Sequence, residues 1–150
     1  MEKVLFTKDI VSTIGGAVGG LVAVAFGGWS DGLLAFMVMM AIDYITGLMV
    51  AGIFKASPKT ASGGLESRAG LKGLMRKIGM ILFVVGAHYA DIALGTAYFM
   101  NATIIGFIAN ELISILENAC LMEIPMPESL KKAIDIMTAK SEAEAPKAEE

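Results

Sequence analysis

The sequence predicts an all-α integral membrane protein with four transmembrane helices paired as two hairpins, and three observations carry that prediction. Of 150 residues, 55% are hydrophobic and only 18% charged, whereas soluble domains carry about a quarter charged residues. Long runs are nearly free of charge, and about 20 helical residues cross a ~30 Å hydrocarbon core. The twelve Lys and Arg residues occur in a few clusters that one topology gathers on a single side. The mean hydropathy of +0.67 excludes a disordered chain. The single cysteine, Cys120, excludes an internal disulfide framework, and no Cys/His cluster has zinc spacing.

The first span is expected over 10–30, where no residue carries a formal charge. Its apolar run exceeds the 7–15 residues of a secretory h-region, so it is read as a retained helix. The second covers about 32–54 and is interrupted only by Asp43. The apolar stretch 78–116 would measure ~58 Å as one helix, too long for one crossing. It divides into spans at about 75–94 and 99–118, joined by a turn near 95–101. Arg76 and Lys77 flank the third span at one end, where they can snorkel, and Asp91 at the other. Basic residues accumulate on the cytoplasmic side of short loops. Lys3, Lys8, the 55–77 segment, Lys131, Lys132, Lys140 and Lys147 share that side only if the number of spans is even. A three-span alternative exports the C-terminal lysines.

The 55–77 segment holds six basic residues against Glu66 alone. Its first half is rich in turn residues and reads as a flexible loop. In its second half Arg68, Lys72 and Arg76 form an i, i+4, i+8 row beside Leu71, Leu74, Met75 and Ile78. That row, with Lys77, fits either a helix lying along an anionic leaflet before the third span or the ordinary basic flank of a membrane segment. After Pro125 and Pro127, residues 128–139 read as a short amphipathic helix closing a 1–139 transmembrane domain. The charged 140–150 tail reads as disordered.

Several polar residues within the spans bear on function. Asp43 falls near the middle of the second span, where a carboxylate costs at least ~2.5 kcal/mol unless it is neutral, paired or wet. Asn110 and Glu111 lie inside the fourth span, and His88 in the third. Asp43, Asn110 and Glu111 are therefore expected to line water or join helices. Gly15, Gly19, Ala23 and Gly27, with Gly16 and Gly20 beside them, form a small-residue stripe along the first span. Such a stripe permits close helix approach, either within one chain or between chains. No Gly-x-Ser-x-Gly, HExxH or P-loop pattern occurs, and there is one histidine. An enzyme, a cofactor, a metal centre and nucleic-acid binding are accordingly not expected.

The motifs Asp43-Tyr44-Ile45-Thr46-Gly47 and Asn110-Glu111-Leu112-Ile113-Ser114-Ile115-Leu116-Glu117-Asn118 occur in that order. Between them stand Ser67, Gly70-Leu71-Lys72, Arg76-Lys77 and Asp91, and after them Pro125 and Pro127. Together they resemble the phage holins of the toxin-secretion and phage-lysis type, over about residues 28–137. The resemblance implies a homo-oligomer in the host cytoplasmic membrane that opens lesions, passing an endolysin or toxin without requiring direct contact with it, and in some cases held back by an antiholin. It marks Asp43, Thr46, Gly47, Lys72, Lys77, Glu111, Ser114, Glu117 and Asn118 as recurring polar positions. Assembly or pore-lining roles are expected at Asp43, Thr46, Gly47, Asn110, Glu111 and Ser114. The rival from residue chemistry alone is a small ion or proton-coupled transporter or channel, and a third reading is an antiholin or a structural membrane scaffold.

Overall fold

Four long helices in the order α1 (Glu2–Phe26), α2 (Asp31–Met49), α3 (Ser67–Leu94) and α4 (Phe99–Leu121) occur among the described residues of this computed structural model. It describes residues 2–132, 135 and 136, with side chains given from Lys8 onward except at position 11. A π-helical turn, Val50–Phe54, extends α2. Segments Lys8–Phe26, Asp31–Phe54, Ser67–Leu94 and Phe99–Leu121 are each long and apolar enough to cross a membrane. The all-α, four-span expectation therefore holds. One end of the bundle carries the two short turns 27–30 and 95–98, and the other carries the 55–66 loop.

Each helix boundary has a local cause. The chain leaves α1 through Gly27 and Gly28, both at positive φ, a conformation that costs glycine little. Ser30 N-caps α2 by accepting a hydrogen bond from the Leu33 amide at 3.1 Å, which satisfies one orphan donor of the first turn. Lys55, with φ of 51°, stops the π turn, and its amide bonds back to the Val50 carbonyl. α3 ends at Gly95 in the left-handed region, with bonds from its amide to Asp91 and Ile92, a glycine stop in the usual C-terminal manner.

The helix that holds the third span, expected at about 75–94, begins at Ser67. Residues 67–74 do not form a separate surface helix but are continuous with the span in α3. Nothing between Glu66 and Leu94 breaks the backbone, and 28 residues at 1.5 Å each give ~42 Å. That exceeds the ~30 Å hydrocarbon, so about two turns with Arg68 and Lys72 project beyond it at the loop end. The 128–139 helix is described at 128–132, 135 and 136, which are helical. The 140–150 tail lies outside the described residues.

The apolar core occupies the turn end. Leu33, Phe36 and Met40 of α2 pack with Met80 and Val84 of α3, Ile104 of α4 and Phe26 of α1. Phe36 stacks on Phe107 with ring centroids 5.8 Å apart. Asp91 fixes the α3–α4 turn. Its carboxylate accepts from the amides of Tyr98 (3.0 Å), Phe99 (3.0 Å) and Met100 (2.8 Å) and from the Thr96 hydroxyl at 2.5 Å. A residue of α3 thus supplies the cap that the first turn of α4 lacks. α1 meets the rest of the bundle near this end. The Tyr89 hydroxyl donates to the Val24 carbonyl at 3.1 Å, and the His88 ring lies so close to Gly27 that a Cβ there would sit 2.6 Å from Cε1.

Candidate functional site: a buried ion layer beneath a polar vestibule

Asp43 and Glu111 each lie ~18 Å along their helices from the turn end, so α2 and α4 bring two carboxylates to the same depth. α3 places Lys77 between them. Its ammonium donates to Asp43 Oδ2 at 2.8 Å and also to Glu111 Oε2. The three side chains are only 12%, 3% and 12% exposed for Asp43, Glu111 and Lys77. Pairing is what makes charge at this depth tolerable, because an isolated buried ion carries its full desolvation cost. Lys77, expected as a membrane-surface base, is instead the counter-ion of the layer.

Asn118, about two helical turns further along α4 than Glu111 and almost fully buried, completes the layer. Its amide donates to Asp43 Oδ1 at 3.1 Å and to Thr46 Oγ1 at 3.0 Å. Thr46 in turn donates to the Ile42 and Asp43 carbonyls. Ser114 lines the same cavity as Asp43. Gly47 faces the Asn118 amide, and a Cβ there would meet it at an ordinary 3.8 Å. Among the described residues no buried side-chain nitrogen or oxygen lacks a hydrogen-bond partner. The network is therefore closed, which is the condition under which polar groups rigidify a helix bundle.

Above this layer, toward the loop end, lies a half-open cavity of about 480 Å³. Asp43, Lys77 and Glu111 form its floor, and α3 and α4 supply Lys72, Arg76, Asn110 and Glu117 to its walls. Its roof comes from the 55–66 loop, including Ser57, Lys59 and Thr60. That loop reads as flexible in sequence but is tied by its own hydrogen bonds. The Ser57 amide donates to the Gly63 carbonyl at 2.9 Å, the Gly63 amide to Thr60 at 3.2 Å, and the Thr60 hydroxyl to the Gly64 carbonyl at 2.9 Å. Gly63 has φ of +70°, and any Cβ would run into the Lys55 carbonyl, so glycine is required there.

The expected site residues separate into those that converge and those that do not. Asp43, Thr46, Gly47, Glu111 and Ser114 meet in one layer, whereas Asn110 is exposed at the cavity wall. Along α1, a Cβ on Gly15, Gly16, Gly19 or Gly20 would meet nothing within 4 Å, and Ala23 is exposed. The stripe therefore makes no packing contact within the chain, and only Gly27, beyond the end of α1, is packed. Arg68, Lys72 and Arg76 are exposed. Sequence reasoning did not find Lys77 as counter-ion or Asp91 as helix cap. From sequence the depths of Asp43 and Glu111 do not obviously match; their equal depth follows from the observed helix starts at Asp31 and Phe99. No group of three His, Cys, Asp or Glu residues that could hold a metal occurs among the described residues.

The chain is similar to an uncharacterized protein of Halalkalibacterium halodurans, at 37% identity over 122 residues, 77% of this chain and 84% of the relative. A Listeria monocytogenes protein, also uncharacterized, is 43% identical over 100 residues, 66% of each chain. An uncharacterized 14.9 kDa Clostridium perfringens protein is 32% identical over 120 residues, 79% of this chain and 85% of the relative. No solved structure matches. The sequence profile of the bacteriophage holin family matches residues 20–139, which takes in the last turns of α1, the whole ion layer and the cavity. This multi-pass α-helical membrane protein thus belongs to the bacteriophage holin family, a non-enzymatic family of membrane pores in lysis, and is not an enzyme.

Proposed function

We propose that copies of this chain accumulate in the host cytoplasmic membrane, associate, and open lesions through which an endolysin reaches the wall. The observation that carries this reading is the Asp43–Lys77–Glu111 layer in the middle of three spans. A closed, hydrogen-bonded ion layer is compatible with lipid only while the helices stay together. Once α2 and α4 separate, Asp43, Thr46, Glu111 and Ser114 need water, and a lumen shared between copies supplies it. Contact between copies would run along the open face of α1 at Gly15, Gly16, Gly19 and Gly20, where close backbone approach adds van der Waals attraction. In this reading both termini and the basic 55–77 segment are cytoplasmic, with Arg68, Lys72 and Arg76 against anionic headgroups. A toxin as cargo and an antiholin as inhibitor belong to the same proposal.

A channel or ion-coupled transporter is the second reading, favoured by the polar cavity that ends on the ion layer. Inducible expression with parallel release of a small dye and a folded cytoplasmic enzyme separates the two. The lesion reading expects both to escape, with Asp43→Leu inserting at normal abundance yet retaining the enzyme. Release of dye alone would favour the channel. Enzyme release by Asp43→Leu on the wild-type schedule would remove the ion layer from the opening step.

A further inference from the structure

The ion layer is reached unequally from the two ends of the bundle. On the loop side the cavity runs down to Asp43, Lys77 and Glu111. On the turn side Phe36, Met40, Met80, Val84 and Ile104 fill the space between the same helices with buried apolar side chains. A small ion can approach the layer through the first route, whereas the second is packed with hydrocarbon. The layer also has an uneven charge count. One ammonium serves two carboxylates, and with all three ionised they sum to −1 in the middle of the spans.

The remaining charges that face the cavity do not alter that count at the layer itself. α2 adds the Tyr44 phenol, the loop Lys59 and Glu66, α3 Lys72 and Arg76, and α4 Glu117. With Glu117 these groups sum to +1, but Lys59, Glu66, Lys72 and Arg76 are exposed, so water and salt screen them from the floor. The groups in direct contact at the floor dominate. A single proton on the Asp43/Glu111 pair brings the floor to neutrality, and it would belong to the coupled pair rather than to one residue.

We infer that the Asp43–Lys77–Glu111 layer is a one-proton binding site loaded through the vestibule from the loop face of the protein. The site goes beyond lesion formation, because proton exchange there needs no separation of helices. Asp43→Asn and Glu111→Gln each keep a hydrogen-bonding side chain and leave one ammonium opposite one carboxylate, so each removes the need for the proton.

The full-length protein in lipid vesicles tests this by infrared difference spectroscopy across an acid step. The wild type is expected to give a protonated-carboxyl band that is lost in both Asp43→Asn and Glu111→Gln, each checked for unchanged helix content by circular dichroism. To keep the test independent of variant folding, the unmutated protein is also prepared with carboxyl-¹³C aspartate or carboxyl-¹³C glutamate, and the band is expected to shift with at least one label. A band that is unchanged in both variants, or that shifts with neither label, overturns the proposal. Access is read separately with Ser114→Cys in a Cys120→Ser background. An impermeant thiol reagent is expected to label from the face bearing the 55–66 loop. Labelling from the opposite face, or from neither, overturns one-sided loading. Neither readout depends on lysis, so a protein that failed to release an enzyme could still show the proton site.

Discussion

At the turn end, Phe26, Leu33, Phe36, Met40, Met80, Val84 and Ile104 interlock as apolar side chains, and Asp91 ties the last turn of α3 to the first of α4. At the loop end the same helices part around a polar cavity and are joined by Lys77, Asp43, Glu111 and Asn118. In lipid the apolar end gains no hydrophobic driving force from helix contact, because the alternative environment is equally apolar, and it relies on packing. The polar end is specified differently. Each group there has a poor alternative in hydrocarbon, so its pairing fixes the rotation of α2, α3 and α4 about their axes. The packed half holds a shape that a different set of well-fitting side chains could hold, whereas the polar half depends on particular partners.

The comparison breaks most sharply at Lys77. Lys77→Met leaves two carboxylates without their cation, and losing one partner of a buried ion pair costs about 3–5 kcal/mol. Membrane abundance and the thermal midpoint in detergent should both fall steeply, while the exposed Lys72→Met should leave both near wild type. Equal effects at the two positions would mean that the layer is not what holds the polar end.

Asp91→Ala tests the other end. It removes the cap from three backbone amides and the Thr96 hydroxyl, and a lost cap costs about 0.5–2 kcal/mol. The thermal midpoint should drop by less than for Lys77→Met, with hydrogen exchange rising at Tyr98, Phe99 and Met100 while the vestibule remains unaffected.

A smaller change is expected from Gly63→Ala. Its positive φ and the Lys55 carbonyl make the substitution cost about 1 kcal/mol or more, but the strain is confined to the loop. Proteolysis at Lys59 should accelerate with little shift of the global midpoint. An unchanged cleavage rate would show that the loop's hydrogen bonds do not order it.

Gly19→Leu should change the stability of the single chain least, within about 0.5 kcal/mol, as expected for a surface position. Crosslinking between copies is its sensitive readout. Unaltered crosslinked ladders would assign association to a face other than the α1 stripe.

Legibility from sequence differed between the two halves. The spans, their number and the basic segment were readable because a charge-free run long enough for a bilayer is a property of contiguous residues. The same holds for the exposed basic row, whose members share a face by helical period. The helix that contains the third span is longer than the span itself, because charge does not interrupt backbone hydrogen bonding and about two turns of α3 continue outside the hydrocarbon.

Asp43 and Glu111 were visible as unusual residues inside their spans, but nothing local to either showed their shared depth or assigned Lys77 as their partner. That ammonium lies 34 residues from each carboxylate, and the meeting depends on how three helices are rotated and offset against one another. Asp91 likewise read as an interfacial charge, and its role as a cap for α4 arises only when the chain folds back through Gly95. Sequence by itself therefore determined the membrane, the spans and the segregation of charge, since each follows from residue type along a line. Tertiary structure alone decided which polar groups pair and which end of the bundle stays open, because pairing in a low-dielectric interior is settled by distances of a few ångströms between side chains far apart in the chain.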